Sequence, residues 1–405
     1  MEILFVSHKY PPATGGMEKQ SYELIKGMET CVTVRKIVYT GEESSFQFFR
    51  KLNGRILAMI HRYPKISVVH FNDGLIAALS LWHVGYVHLK RVVTLHGLDV
   101  VFPWKIYQRF ILPRFNRFDQ VVTVSKATAK AAIERGIAAD KITVIPNGID
   151  HHFAQATQEK QWIDFCIKYD IPQNRRILTT LGRPVKRKGF SWFIKNVLPK
   201  LSEESYLVMA GPFSVEPSKK EKWLNRLPAR WRELYMLMMG YPSDEQELRG
   251  LLCDERYSNQ VKHVGKLPQE DLQVLLAETT AFVMPNIRVS GDMEGFGLVC
   301  LEASISGAIV IASELEGITD AIHHRKNGLL IEAENEALWV QTLKQLFVAS
   351  KAMVEQREAY RNYTLNHFGW DKMVKDYARL FERLQLEKEE KGCCVHTQHP
   401  SVHYF

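Results

Sequence analysis

A chain of 405 residues with 46% apolar side chains is too long for one compact core and sufficient for two domains of ordinary size. Its six cysteines, Cys31, Cys166, Cys253, Cys300, Cys393 and Cys394, are scattered through a core-forming sequence, which excludes a small disulfide framework and predicts a reduced, cytoplasmic setting. The net charge of +8 belongs entirely to residues 1–150, with 20 Lys and Arg against 12 Asp and Glu, while residues 151–405 balance at 33 each; a basic amino-terminal half predicts affinity for phosphates or anionic lipid head groups.

From the amino terminus, short apolar runs at residues 3–7, 32–39, 68–71, 92–95, 121–124 and 142–145 alternate with helical patterns. That rhythm predicts βαβ units and a parallel sheet, and runs apolar on both faces predict helices covering both sides of it. The first run is not preceded by a basic leader and stops at His8-Lys9, so no export signal is predicted. The longest uncharged stretch, between Asp73 and Lys90, is shorter than the ~20 residues a membrane span needs and contains His83 and His88. Pro146-Asn147-Gly148-Ile149-Asp150 ends the first series, and residues 147–172 read as connecting structure. A second series at 177–181, 206–209, 261–264, 281–284 and 309–311 predicts a second doubly wound domain. The division is 1–150 and 151–370, with a helical insertion over about 213–258, a helix over 371–390 that crosses back to the first domain, and a disordered tail over 391–405.

Three stretches carry candidate chemistry. Gly15-Gly16 stands where the first strand gives way to a helix; amides there suit an anion, although a plain strand-to-helix turn has the same pattern. Gly182-Arg183-Pro184-Val185-Lys186-Arg187-Lys188-Gly189 follows the first strand of the second domain, where doubly wound folds bind ligands. Arg183 and Lys188 there suit a diphosphate leaving group, the alternative being a solvated basic loop. In residues 291–303, Glu294 precedes Gly295-Phe296-Gly297 and Glu302 follows two helical turns later, able to face the same crevice. The division of roles is Glu294 for sugar hydroxyls, the amides of Phe296, Gly297 and Leu298 for phosphate, and Glu302 for a ribose diol. Two surface glutamates would look similar, but carboxylates set among Phe296, Leu298, Val299 and Leu301 need partners.

Taken together and in this order, Gly15-Gly16, the 144–150 segment, Gly182-Arg183 to Lys188-Gly189 and Glu294 to Glu302 resemble the family 4 glycosyltransferases over nearly the whole chain. The resemblance implies a GT-B fold, two Rossmann-like domains facing across a cleft, with a nucleoside diphosphate sugar donor, retention of anomeric configuration, no cofactor and no obligatory metal. It implies that Arg183 and Lys188 hold the diphosphate, Glu302 the ribose and Glu294 the donor sugar, with Gly16 beneath the phosphates. His96, at the end of a strand in Thr94-Leu95-His96-Gly97, faces the transferred sugar, and Gly265, in Gly265-Lys266-Leu267-Pro268, belongs to a loop that contacts the base through its backbone. The expected acceptor is a polysaccharide, lipopolysaccharide or glycolipid precursor. A sugar-nucleotide epimerase, a phosphorylase on the same fold and a partner subunit without turnover are the alternatives. The long segment after Gly211 departs from the family pattern.

Two stretches interleave aromatic and basic residues: 46–62, with Phe46, Phe48, Phe49, Arg50, Lys51 and Arg55, and 102–118, with Trp104, Lys105, Tyr107, Arg109, Phe110, Arg114 and Arg117. Such patterns suit an anionic membrane surface, predicting a peripheral enzyme on the inner face of the cytoplasmic membrane, or else a core face backed by solvated cations. No nucleic-acid module accompanies them, so nucleic acid is not an expected partner.

Overall fold

The computed structural model describes residues 1–151, 158–217, 223–224, 226–238, 243–348 and 350–396. Six strands, β1 (Glu2–Ser7), β2 (Thr33–Val38), β3 (Ile66–Phe71), β4 (Lys90–Leu95), β5 (Gln120–Thr123) and β6 (Ile142–Val144), form a sheet in the order β2-β1-β3-β4-β5-β6. A second sheet, in the order β12-β11-β10-β7-β8-β9, contains β7 (Arg176–Leu181), β8 (Ser205–Ala210), β9 (Val261–His263), β10 (Ala281–Met284), β11 (Ile309–Ser313) and β12 (Leu329–Ile331). Every pairing is parallel. Successive side chains of a strand point to opposite faces, and in β1 both faces are covered. Leu4 and Val6 pack with Phe48, Leu52 and Ile56 on one side, while Ile3 and Phe5 pack with Leu24, Ile25 and Met28 on the other.

Several details depart from the sequence reading. β12 was not expected; it is three residues long, follows the Asn327-Gly328 turn and lies at the edge of its sheet. The segment read as linker contains a helix, Glu159–Tyr169, whose Phe165 and Cys166 pack on Ile177, Tyr206 and Leu275 of the second domain. The insertion holds helices Ala229–Met238, Glu245–Cys253 and Glu255–Ser258, while residues 218–222, 225 and 239–242 lie outside the described residues. Residues 391–396, expected as tail, instead continue the last helix, Trp370–His396, after a run of Glu and Lys that favours helix. Residues 397–405 lie outside the described residues.

The aromatic and basic residues of 46–62 do not form one exposed face. Helix Ser45–Arg62 buries Phe48, Leu52 and Ile56 in the core, and Arg55 and Lys51 pair with Glu43. In 102–118, Leu112, Phe115 and Phe118 are core, but Trp104, Ile106 and Phe110 remain exposed. Among the described residues no helix is long and apolar enough to cross a membrane.

The helix Trp370–His396 leaves the second domain and lies on the first. Its Met373, Val374, Tyr377, Leu380, Phe381 and Leu384 recur at helical spacing and close over Leu24, Ile25 and Met28. Beneath it, the Tyr377 hydroxyl meets Thr94 Oγ1 at 2.8 Å, and Thr94 Oγ1 meets His70 Nε2 at 2.9 Å. Burial holds His70 down to about 3, so this ring is neutral and the chain of bonds carries no charge.

Phe381 is fully buried, edge-on to Phe5 and to His70 with ring centroids 6.0 and 5.7 Å away. Phe381→Ala is expected to cost about 3–5 kcal/mol. In urea, tryptophan fluorescence and circular dichroism should show the amino-terminal sheet unfolding earlier while the transition of the β7–β12 sheet stays in place.

Candidate functional site

The carboxyl ends of both sheets open onto one cleft of about 2260 Å³, lined by segments of both domains. A single small ligand occupies roughly 300–1,000 Å³, so two substrates fit side by side.

On the second-domain side, β7 and β8 run out at Gly182 and Gly211, with φ of +134° and +138°, a conformation that only glycine adopts without strain. A side chain on Gly211 would strike the Gly182 carbonyl, so the two strand ends must both be bare. The chain then passes Arg183, which lines the cleft, and makes a tight turn at Lys186–Lys188 before helix Phe190–Asn196. Lys188 lies over Gly182 and is buried, its ammonium 3.7 Å from Glu294 Oε2. Arg187 stands 3.5 Å from the same carboxylate and 3.3 Å from Asp292. Burial pushes the Glu294 carboxyl upward, but Lys188 and Arg187 outweigh it and hold the group below its ordinary value. Burial also depresses Lys188, against the pull of Glu294. Two cations and a carboxylate are thus held together in a poorly hydrated place, where charge interactions are strong.

Phe296, Gly297 and Leu298 line the cleft where helix Leu298–Ile305 begins, and Glu302 lines it from that helix. Glu302 is engaged across the cleft by Lys19 Nζ at 2.7 Å, from the first helix of the other domain. Gly265 is the one sequence-predicted residue outside the lining: it lies just after β9, its N–H donates to His263 Nδ1 and its carbonyl accepts from Gly211, while its neighbours Lys266 and Leu267 reach the cleft.

On the first-domain side stand Gly15 and Gly16, at the start of helix Gly16–Met28, and His96 after β4. Gly16 faces Leu298 of the second domain. His96 Nε2 donates to the Asn72 carbonyl at 2.9 Å, which fixes the tautomer and leaves Nδ1 as the acceptor nitrogen. The backbone N–H groups of His96, Gly97 and Gly74 all donate to the Asp99 carboxylate, at 2.9 to 3.2 Å, so Asp99 shapes the turn that presents His96. His8 Nδ1 meets Asp73 Oδ2 at 2.8 Å nearby.

The two sides touch. A side chain on Gly97 would come within 2.9 Å of Gly295 Cα, and one on Gly295 would collide with the His96 carbonyl oxygen. Met293 crosses over to sit in the first domain's core. His96 and Glu294 are therefore brought into one site by direct contact between the loops that carry them.

Sequence reasoning passed over Lys19, Asp99, Asp292, Met293 and Glu316, and did not single out Arg187. Arg187 and Asp292 lay inside quoted motifs and Lys19 one turn beyond Gly15-Gly16, but nothing in the pattern marked Glu316. Glu316 sits in the turn after β11 at φ +51°, and its Oε2 accepts the Glu294 N–H at 2.6 Å. The N–H of Gly317 donates to the Glu294 carbonyl at 3.1 Å, so this turn grips the Glu294 peptide from both ends.

Residues 165–367 match the family model described as Glycosyl transferases group 1, and residues 5–153 the one described as Glycosyltransferase Family 4. The chain is similar to the amylovoran biosynthesis glycosyltransferase AmsK of Erwinia amylovora, 25% identical over 330 residues, covering 79% of this chain and 70% of AmsK. It is 29% identical over 136 residues to a D-inositol 3-phosphate glycosyltransferase of Corynebacterium urealyticum, covering 33% of this chain and 30% of that relative. Among solved structures, Anabaena Alr3699/HepE in complex with UDP superposes with a TM-score of 0.68 at 17% identity, covering 95% of this chain and all of that one. Sucrose-phosphate synthase from Thermosynechococcus elongatus superposes with a TM-score of 0.73 at 17% identity, covering 95% and 99%. At such identities the likeness is one of fold, two Rossmann-like domains in the GT-B arrangement.

The Glu316 clamp can be tested through its charge. Burial, with the charges of Glu294 and Asp292 adding to it and the hydrogen bond from the Glu294 N–H and the Arg187 charge opposing, pushes the Glu316 carboxyl up to about 7. A carboxyl raised on folding stays protonated longer in the native state, so its ionisation costs stability as pH rises from about 4.5 to about 7. Glu316→Gln removes that cost. In urea titrations across pH 4.5 to 8, the variant is expected to gain stability on the wild type up to about pH 7 and to hold a constant difference above it.

Proposed function

Because the chain belongs to the glycosyl transferases group 1 and is a glycosyltransferase of GT-B fold, we propose that it moves a sugar from a nucleoside diphosphate donor, with retention of configuration, to a polysaccharide, lipopolysaccharide or glycolipid precursor. The observation that carries this reading is the Arg187–Lys188–Glu294 cluster held against the His96 turn by the Gly97–Gly295 contact. The structure of HepE with UDP, a protein of like fold, supports a nucleotide-linked donor.

In this reading Arg183 and Lys188 compensate the charge that grows on the departing diphosphate, a task that needs fixed cations but no bound metal or cofactor. Glu294, kept ionised by its two cations, accepts hydrogen bonds from donor-sugar hydroxyls. His96 Nδ1 accepts another from the transferred sugar. The first-turn amides beside Phe296, Gly297 and Leu298, with Gly15 and Gly16 opposite, face the phosphates. The backbone of the Gly265 loop meets the base. Glu302 takes the ribose diol, exchanging its bond to Lys19 for one to the nucleotide. An epimerase would act on the donor alone, and a partner subunit would have no use for a second substrate's space in the cleft.

A thermal-shift panel of nucleotides and nucleotide sugars identifies the donor, because a ligand at 100 times its Kd stabilises by about 2.7 kcal/mol. With that donor, Lys188→Ala or Arg183→Ala is expected to lower turnover by roughly 10²-fold, about 3 kcal/mol of transition-state stabilisation. Glu302→Ala should weaken free nucleoside diphosphate, whereas Glu294→Ala should slow transfer and leave diphosphate affinity near the wild-type value. Proton NMR of the first-formed product reads the anomer. Near-normal turnover in folded Lys188→Ala, or an inverted product, overturns the reading.

We propose further that the enzyme works at an anionic membrane, on its cytoplasmic face. Support comes from the excess charge of residues 1–150 and from Trp104, Ile106 and Phe110, exposed beside Lys105, Arg109, Arg114 and Arg117. Each cation near such a surface contributes about 1 kcal/mol. The protein is expected to co-sediment with phosphatidylserine vesicles at low salt, to be released at high salt, and to lose binding when Arg109, Arg114 and Arg117 become Gln. Equal recovery on neutral vesicles removes this part.

A further inference from the structure

Glu302 has two claims on it. Its Oε1 accepts from Lys19 Nζ at 2.7 Å, a bond that runs from the first domain to the second across the cleft. On the transferase reading the same carboxylate takes the ribose diol, and Lys19 must then find another anion. Both side chains line the cleft, with 30% of Lys19 and 13% of Glu302 exposed. An ion pair that meets water contributes little to stability, so giving it up costs little.

Helix geometry sets where the released ammonium can go. Lys19 belongs to the first turn of helix Gly16–Met28, its N–H bonded to the Gly15 carbonyl. A long side chain on a helix leans toward the amino-terminal end and covers the turn before its own Cα. For Lys19 that turn is Gly15-Gly16, the part of the first domain that faces the phosphates in the transferase reading.

The charges around this turn make Lys19 decisive. Lys9, Glu18 and Lys19 all line the cleft there, and Glu18 lies against Gly15 with its Oε1 3.8 Å from Lys9 Nζ. Lys9 and Glu18 offset one another. While Glu302 holds Lys19 the wall is therefore close to neutral, and once the ribose takes Glu302 it is positive. Glu23, one turn further along and outside the cleft lining, also feels Lys19 but has Lys26 beside it.

Resting on the transferase reading, we propose that Lys19 is a third cation for the diphosphate, supplied by the first domain and released to it when the ribose displaces Lys19 from Glu302. Arg183 and Lys188 meet the diphosphate from the second domain, so a nucleoside diphosphate is held from both sides of the cleft. The bond that joins the domains before binding is replaced by one routed through the ligand. A nucleoside breaks the same bond and has no phosphate to replace it.

Isothermal titration of the full chain with the nucleoside diphosphate found in the thermal-shift panel, and competition by its nucleoside, tests this in the wild type, Lys19→Gln and Lys19→Arg. Lys19→Gln is expected to bind the diphosphate about tenfold more weakly, the loss of one charge-assisted bond. It should bind the nucleoside at least as tightly as the wild type, since Glu302 no longer has a partner to give up, and that binding also shows that the variant folds. Lys19→Arg should restore most of the preference for the diphosphate. A Lys19 that only competes with the ribose would make both ligands bind more tightly in Lys19→Gln, and one that only orients Glu302 would make both bind more weakly. Either result, with the preference for diphosphate over nucleoside unchanged from the wild type, overturns the inference and leaves the transferase reading in place. Failure of every nucleotide to stabilise the wild-type chain would instead remove that reading.

Discussion

Two backbones without side chains, Gly97 and Gly295, touch where the domains meet, and the site exists because they can. Any Cβ at either position would meet main-chain atoms of the other loop, so the loops carrying His96 and Glu294 could not close to their present separation. Around that bare centre the joining contacts differ in kind. Met293 is seated in the first domain's core, Lys19 reaches Glu302, and Asp320 accepts from the backbone N–H of Lys126 at 3.1 Å, at the start of helix Lys126–Glu134 in the other domain. Only the first is apolar and buried. Val124 of the first domain is likewise buried in a core cluster of the second, and Leu298 packs back on the first, so apolar pegs from both sides and a few polar bridges join the domains.

The second-domain wall of the cleft is organised by charge before any ligand arrives. Arg187 is shared by Asp292 and Glu294, and Lys188 leans on Glu294 with its alkyl chain over Gly182. Removing ions from water is costly, so each of these groups is tolerable only because the others are present. In the proposed reaction this matters because cations that have already lost most of their hydration need little rearrangement to meet a new anion. Glu316 adds a constraint of a different type: it fixes the peptide of Glu294 and leaves that residue's side chain to the cations.

Much of this was legible in the sequence, and unevenly so. The strands were readable because parallel strands covered on both faces are unbroken apolar runs; β12, an edge strand of three residues, was missed although β6 and β9 are as short. Arg183, Lys188, Glu294 and Glu302 could be singled out because each stands near a strand end or a glycine turn. Glu316 could not, since the Glu294 N–H it accepts is brought near only by the fold, and Asp99 was passed over although it accepts from its sequence neighbours His96 and Gly97 as well as from the remote Gly74. The stretch 46–62 was ambiguous for a related reason: spacing shows that Phe48, Leu52 and Ile56 share a helix face, but only packing shows that this face meets β1 and not a lipid. The same ambiguity at 102–118 resolves residue by residue, with Phe115 inside and Phe110 outside.

The return of the last helix to the first domain means that the chain passes between the domains twice. The two passages lie against each other: a side chain on Gly148, in the first crossing, would strike the backbone of Gly369 and Trp370, in the second. Two bodies joined by a single flexible strand can swivel about it in any direction, whereas two strands side by side define a line and leave rotation about that line as the easy motion. Opening and closing of the cleft is thereby reduced to nearly one degree of freedom. Whenever the domains come together they do so along the same arc, and Gly97 is returned to Gly295 without a search over orientations.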